Sequence, residues 1–190
     1  MQVISAVVAG CVVMLAGAAF GAPVDGKTAR SMLFPATGAE VEMIAQDFLP
    51  EDQAVMLASV GAQQPYYGAI AVSPDEGIMV EATVAAANYH DVTAASAVAL
   101  ADCNAKRLGA RPCVIVALIR PVGWGDRPLK LSAAASEGFA NDYKGRGAMA
   151  LAISASTGLW GFAKGKGAVD ASVAACAGGQ AEDCAVVIAD

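Results

Sequence analysis

His90 is the only histidine in the chain, and it stands in Asn88-Tyr89-His90-Asp91, where Asp91 is placed to orient it as a general base. Ser73 or Ser154 would then be the nucleophile for such a base to activate. The same four residues also read as a turn before a helix cap, because Asp91 opens an alanine-rich run, and that structural reading is the one we prefer. A second pattern, Gly21-Ala-Pro-Val-Asp-Gly26-Lys27-Thr28, satisfies the phosphate-binding spacing Gly-x4-Gly-Lys-Thr. That chemistry needs a strand, a glycine turn with free amides and a helix opening at the Lys-Thr. Here the preceding stretch is an uncharged leader, Pro23 removes one amide, and the only apolar run ending in Asp closes at Asp190, so nucleotide binding is not expected. Lys164 and Lys166, between Gly161 and Gly167, offer charge for an anion but read equally as a solvated strand end and turn.

The cysteines are more informative. Cys103 with Cys113 and Cys176 with Cys184 are spaced ten and eight residues apart, and with one histidine in the chain they match no usual zinc spacing. In each pair the first cysteine falls near the end of an expected helix and the second opens an apolar strand, which suits a disulfide closing a small loop. The fifth, Cys11, lies in the apolar run of residues 3–20, which reads as a signal peptide cut between Gly21 and Ala22. Val8-Ala9-Gly10-Cys11 resembles a lipobox, but no basic residue precedes it and the apolar run continues beyond it. The run is marginal for a membrane span, so a retained anchor is the lesser reading, and any membrane attachment would come through this segment. All 18 acidic and 12 basic residues follow the cut, leaving a net charge of −6 that argues against nucleic acid as partner.

The elements that must position these residues repeat. Ala69-Ile-Ala-Val-Ser73 with Gly77 returns as Ala150-Leu-Ala-Ile-Ser154 with Gly158. In the first copy Tyr67 to Ser73 predicts a strand, Ile78 to Ala85 its hairpin partner, and Asp91 the cap of a helix burying Val92, Ala95, Ala99 and Cys103. Cys113 to Ile119 closes the unit as a buried strand. The second copy predicts strands over Ala148 to Ser154 and Leu159 to Ala163, a helix burying Val169, Val173 and Cys176, and a strand from Cys184 to Ala189. Before the repeats, a helix is expected near Lys27 to Leu33, a strand near Glu40 to Ala45, and a helix from Glu51 to about Val60 opened by Pro50. Between them, the Gly- and Pro-rich segment from Arg120 to Arg146 reads as a linker. Its Trp124 and Tyr143 are candidate binding residues, although a Trp in that setting also serves to cover the edge of a core.

The expected fold is α+β: two β-β-α-β repeats forming one mixed sheet with helices packed on it, one disulfide per repeat. The chain divides into a leader (1–21), an N-terminal α/β extension (22–66), a first repeat (67–120), a linker (121–146) and a second repeat (147–190). Tyr67-Gly-Ala-Ile-Ala-x-Ser, the Ala-rich helix ending at Cys103 and the apolar strand led by Cys113 resemble a family of small secreted bacterial domains of unknown function. The resemblance implies an exported, disulfide-bearing α+β module and carries over no catalytic residue. Where similar small exported chains carry the name of 5-aminolevulinate synthase, the chemistry does not support it. Enzymes with that activity are much larger and hold pyridoxal phosphate on a lysine with a supporting Asp and a phosphate cup, a framework not legible here. The expected function is therefore a periplasmic or secreted binding or interaction module for an envelope protein or small ligand, calling for no cofactor. A small envelope hydrolase or transferase using His90 is the alternative.

Overall fold

Alanine lines one face of each central strand and larger aliphatic residues line the other, and this asymmetry sets the layers. A computed structural model describes residues 21–190; the expected leader, apart from Gly21, and Cys11 lie outside the described residues. The elements in chain order are α1 (Gly26–Met32), β1 (Ala39–Met43), α2 (Glu51–Gly61), β2 (Gly68–Val72), β3 (Val84–Ala86), α3 (Val92–Lys106), β4 (Val114–Pro121), α4 (Ala133–Asp142), β5 (Met149–Ser154), β6 (Trp160–Lys164), α5 (Ala168–Ala177) and β7 (Cys184–Ala189). They form an α+β fold with two antiparallel sheets, ordered β1-β4-β2-β3 and β6-β5-β7. The expected single mixed sheet is thus replaced by two. The N-terminal segment explains this, because it covers the free edge of each returning strand. β1 pairs with β4, and Val24 bridges Ile188 of β7 in parallel.

In the first sheet, β2 is buried throughout. Ala69 and Ala71 face Ala95, Ala99 and Cys103 of α3, while Ile70 and Val72 face Leu57 of α2 and pack with Val116 and Ile119 of β4. Small residues on the α3 side let helix and sheet approach closely, and branched residues on the α2 side fill a wider gap. The hairpin partner of β2 is shorter than expected. Residues 78–83 leave the ladder because Ile78 joins the α2-side cluster and Ala82 the α3-side cluster, so the chain wraps around the sheet edge before pairing as β3.

The second sheet is built on β5, also buried throughout, with Met149, Leu151 and Ile153 packing against Leu131, Phe139, Tyr143 and Ile188. Its helix buries Ala168, Ser172 and Cys176, whereas Val169 is 50% exposed, which corrects the expected Val169-Val173-Cys176 face. Close approach decides the matter. A Cβ on Gly161 of β6 would lie 2.3 Å from the backbone of both Ser172 and Cys176, so only small residues fit that seam. The predicted linker also holds an element the pattern hid: α4, capped by Ser132, whose Oγ accepts from Ala135 N–H at 3.2 Å. Gly138 within it makes room for the Trp160 ring, which a Cβ there would meet at 2.0 Å.

The two disulfides join Cys103 to Cys113 and Cys176 to Cys184, each with Cα atoms 6.1 Å apart. We predict that Gly161→Ala, which drives a methyl into the α5 backbone, destabilises the protein by about 2 kcal/mol or more, while Gly125→Ala, at an open site, changes stability by less than about 0.5 kcal/mol. Urea denaturation of the two variants checks this, and equal effects would contradict the packing described.

Candidate functional site

The turn Asn88-Tyr89-His90-Asp91 is the place where the parts of the chain meet. Tyr89 N–H donates to Tyr67 O at 3.0 Å, which ties the turn to the entry of β2. Asn88, with φ at +66°, adopts the left-handed conformation that asparagine tolerates better than most side chains, and its Oδ1 accepts from Ala134 N–H of α4 at 3.0 Å. His90 Nδ1 accepts from Ser132 N–H at 2.9 Å, and its Nε2–H donates to Leu159 O, at the entry of β6, at 3.0 Å. Asp91 caps α3 through Thr93 N–H at 2.7 Å and pairs with Lys130 at 2.8 Å. Gly158 completes the fit, since a Cβ there would lie 2.4 Å from Asn88 O.

His90 is only 3% exposed, and its two partners fix a neutral imidazole protonated at Nε2. Burial drives its pKa down to about 4, against the opposing pull of the Leu159 carbonyl. Both ring nitrogens are committed, and the one lone pair, on Nδ1, is taken by Ser132 N–H rather than by a serine hydroxyl. Ser154 Oγ instead donates to Asp183 at 2.5 Å and accepts from Thr157 Oγ1 at 2.7 Å. Burial works to raise the Asp183 pKa, but the Ser154 and Ser156 hydrogen bonds outweigh it and hold the carboxyl below its ordinary value. Ser73 is fully buried just beyond the end of β2. The hydrogen bonds of the described residues link neither serine to His90.

Beside this turn runs a cleft of about 530 Å³, lined by the N-terminal segment, the first unit, residues 126–130 and the second sheet. Asp91, Lys130, Arg127 and Asp126 give it polar walls, and Met32, Leu129, Ile153 and Val187 give it apolar ones. Lys130 reaches both Asp91 and Asp126, at 2.8 and 3.0 Å, and the Asp91 hydrogen bond holds its pKa above the ordinary lysine value. Burial would raise the Asp91 pKa, but Lys130 and the Thr93 amide overcome it and leave the carboxyl lowered.

The other residues singled out in the sequence lie elsewhere. Trp124 is half-buried, packs against the Tyr66-Tyr67-Ala133 cluster and carries the Arg120 guanidinium 4.1 Å from its ring centroid. Tyr143 does not lie at the surface beside it. It is 1% exposed, donates to Met149 O at 3.1 Å, and has its pKa pushed up to about 12 by burial and then by Asp190. The Gly-x4-Gly-Lys-Thr stretch has its amides filled from within: Gly26 N–H donates to Asp190 Oδ1 at 3.0 Å and Thr28 N–H to Asp25 Oδ1 at 2.9 Å. Gly26 makes room for the Tyr143 ring, 2.5 Å from where its Cβ would be. Lys164 donates to Lys144 O at 3.1 Å, and Lys166 is exposed. The sequence reading missed Asn88, Arg127 and Lys130; the one signal for them was their place beside the histidine and in the charged linker.

No family model, curated protein or solved structure matches the chain in comparisons with known proteins.

The imidazole is neutral when folded and has an ordinary pKa of about 6.5 when unfolded, so the unfolded chain binds the extra proton between pH 6.5 and 4. Stability is fully present above that range and falls as pH is lowered through it, by up to about 3 kcal/mol from this group. We predict that His90→Gln is less stable at pH 7 and shows a flatter decline in urea midpoint between pH 6.5 and 4.5 than the parent. Parallel declines would show that His90 does not carry the acid sensitivity.

Proposed function

We propose that the protein is an exported, disulfide-stabilised binding module made of two copies of one β-β-α-β unit, with the junction cleft as its ligand site. The observation that carries the reading is the cleft itself, whose volume falls among those of small-molecule sites and whose walls mix apolar side chains with a few fixed polar groups. Its walls come from the N-terminal segment, the first unit, the linker and the second unit, so the ligand site exists only in the assembled fold. Support for duplication comes from topology. In both units the first strand is central, its hairpin partner lies on one side and the returning strand on the other. The register shift falls at matched positions, Ile70/Ala71 and Leu151/Ala152, and each unit closes with one disulfide whose Cα atoms lie 6.1 Å apart. Two disulfides and a charge-free leader favour an oxidising compartment, periplasmic or extracellular.

The enzyme reading loses its base, because His90 is spent on Ser132 and Leu159. Trp124 keeps a role at the rim of the linker surface, half-exposed with Arg120 on its face. Tyr143 acts from the core, where it supports the apolar wall of the second sheet.

Two outcomes test the proposal. Protein recovered from the envelope or medium is expected to begin at Ala22 and to change mass only by four hydrogens on reduction of its two bridges. A secreted chain that still carries residues 1–21 would contradict the export reading. In a fragment screen followed by amide NMR, shifts are expected to centre on Met32, Leu129, Ile153 and Ala155, and Ala155→Trp, which fills the cleft, should abolish them with the fold intact. Fragment binding that survives Ala155→Trp would move the site elsewhere.

A further inference from the structure

Arg127 is built into the cleft wall with part of its chemistry unspent. Its guanidinium lies 3.5 Å from the Phe34 ring centroid, and Nη1 donates to Met32 O at 2.9 Å and to Leu33 O at 2.8 Å at the end of α1. The ring and the helix end together fix the plane of the head group. Among the described residues its hydrogen bonds run through Nη1, so the edge formed by Nε and Nη2 keeps its donors. A planar donor edge held in place is suited to bidentate capture of a carboxylate or phosphate, at small entropic cost.

A second positive charge enters from the chain itself. Val24 N–H donates to Val187 O at 3.1 Å and Val24 O accepts from Ala189 N–H at 3.0 Å, which pins the start of the described chain along β7. Gly21 and Ala22, immediately before that bridge, line the same cleft as Arg127. If the export reading above holds, on which this step rests, the cut before Ala22 turns a peptide nitrogen on the cleft wall into an α-ammonium. Before the cut, Arg127 and Lys130 balance Asp91 and Asp126; His90 is neutral. After it the cleft carries one net positive charge. Lys130 is already held by both carboxylates, so Arg127 and the new amino terminus are the cations left for a ligand.

We propose that the processed cleft binds a small organic anion bearing a carboxylate or phosphate, anchored on the Nε and Nη2 edge of Arg127 and assisted by the α-ammonium of Ala22. Export would thereby complete the site, because the leader-bearing chain lacks that charge.

The test uses the chain beginning at Ala22 with both disulfides intact, titrated at low salt with succinate and, separately, inorganic phosphate. The Arg127 Nε–H signal and the amides of Val24, Asp25 and Gly26 report binding. Saturable shifts are expected with at least one of the two anions, weakened about tenfold or more by Arg127→Lys, which keeps the charge but loses the planar edge. A chain extended by Gly-Ser-Gly ahead of Ala22 moves the ammonium outward and alters no folded side chain, so weaker binding there is expected even if Arg127→Lys folds poorly. Equal affinity in the parent and the extended chain would remove Ala22 from the site. Absence of saturation by either anion in a chain that still binds neutral fragments would overturn the anion proposal and leave the binding-module reading standing; loss of fragment binding as well would remove both.

Discussion

One neutral imidazole holds the two halves of this protein together. His90 sits at 3% exposure with a donor on one side and an acceptor on the other: Ser132 N–H at the start of α4 and Leu159 O at the start of β6. A buried imidazole satisfied on both nitrogens costs little, whereas the same ring left with one free nitrogen, or charged, carries the full penalty of an unpaired polar group in the interior. Its two bonds therefore fix where α4 begins and where the second hairpin lies relative to the first unit. Asn88 and Asp91 extend the same anchorage to α4, α3 and Lys130. The cleft has its shape because this turn cannot shift without breaking several of those bonds together.

The rest of the architecture follows from small residues. With Ala69, Ala71, Ala95 and Ala99 at the seam of the first unit and Gly161 against Ser172 and Cys176 in the second, helix and sheet pack closely but each contact removes little apolar area. A core of that kind gains less from burial than one rich in Leu and Phe, and the disulfides compensate at the same seams. By the chain-entropy estimate, loops of this length are each worth about 2.5 to 3 kcal/mol, and both bridges tie the inner end of a helix to the strand that returns beside it. The larger apolar side chains collect on the opposite faces, with Leu57, Ile70 and Ile119 on one sheet and Leu131, Leu151 and Ile188 on the other.

Much of the local structure is legible from pattern. Asp91 as a helix cap, Pro50 at the entrance of α2, the two cysteine pairs and the buried central strands all follow from short-range rules that neighbours do not override. What the pattern hides is decided by contacts distant in sequence. The segment from Arg120 to Arg146 reads as a linker by its Gly and Pro content, and nothing nearby predicts that Trp160 will lie against Gly138 of α4. Val169 looks like a core residue until Gly161 is seen to draw a different face of α5 inward. A single mixed sheet is the natural reading of two strand units, and only the pairing of β1 and Val24 with the returning strands excludes it. The site was half visible. His90 and Asp91 stand out by type, but the structural role of the ring depends on Ser132 and Leu159, 42 and 69 residues away, which no local spacing announces.

The function proposed above rests on the same turn, because a histidine that clamps two sheets is unavailable for catalysis and a clamped junction is what gives a cleft fixed walls. The most direct measurement is the tautomer and titration of His90 by long-range proton–nitrogen NMR of the imidazole. The account predicts a neutral ring protonated at Nε2, with Nδ1 bare, unchanged from pH 7 to about pH 5 in the folded protein. A ring protonated at Nδ1, or one that titrates near the ordinary value of about 6.5 while the fold persists, would contradict the clamp and free His90 for chemistry again.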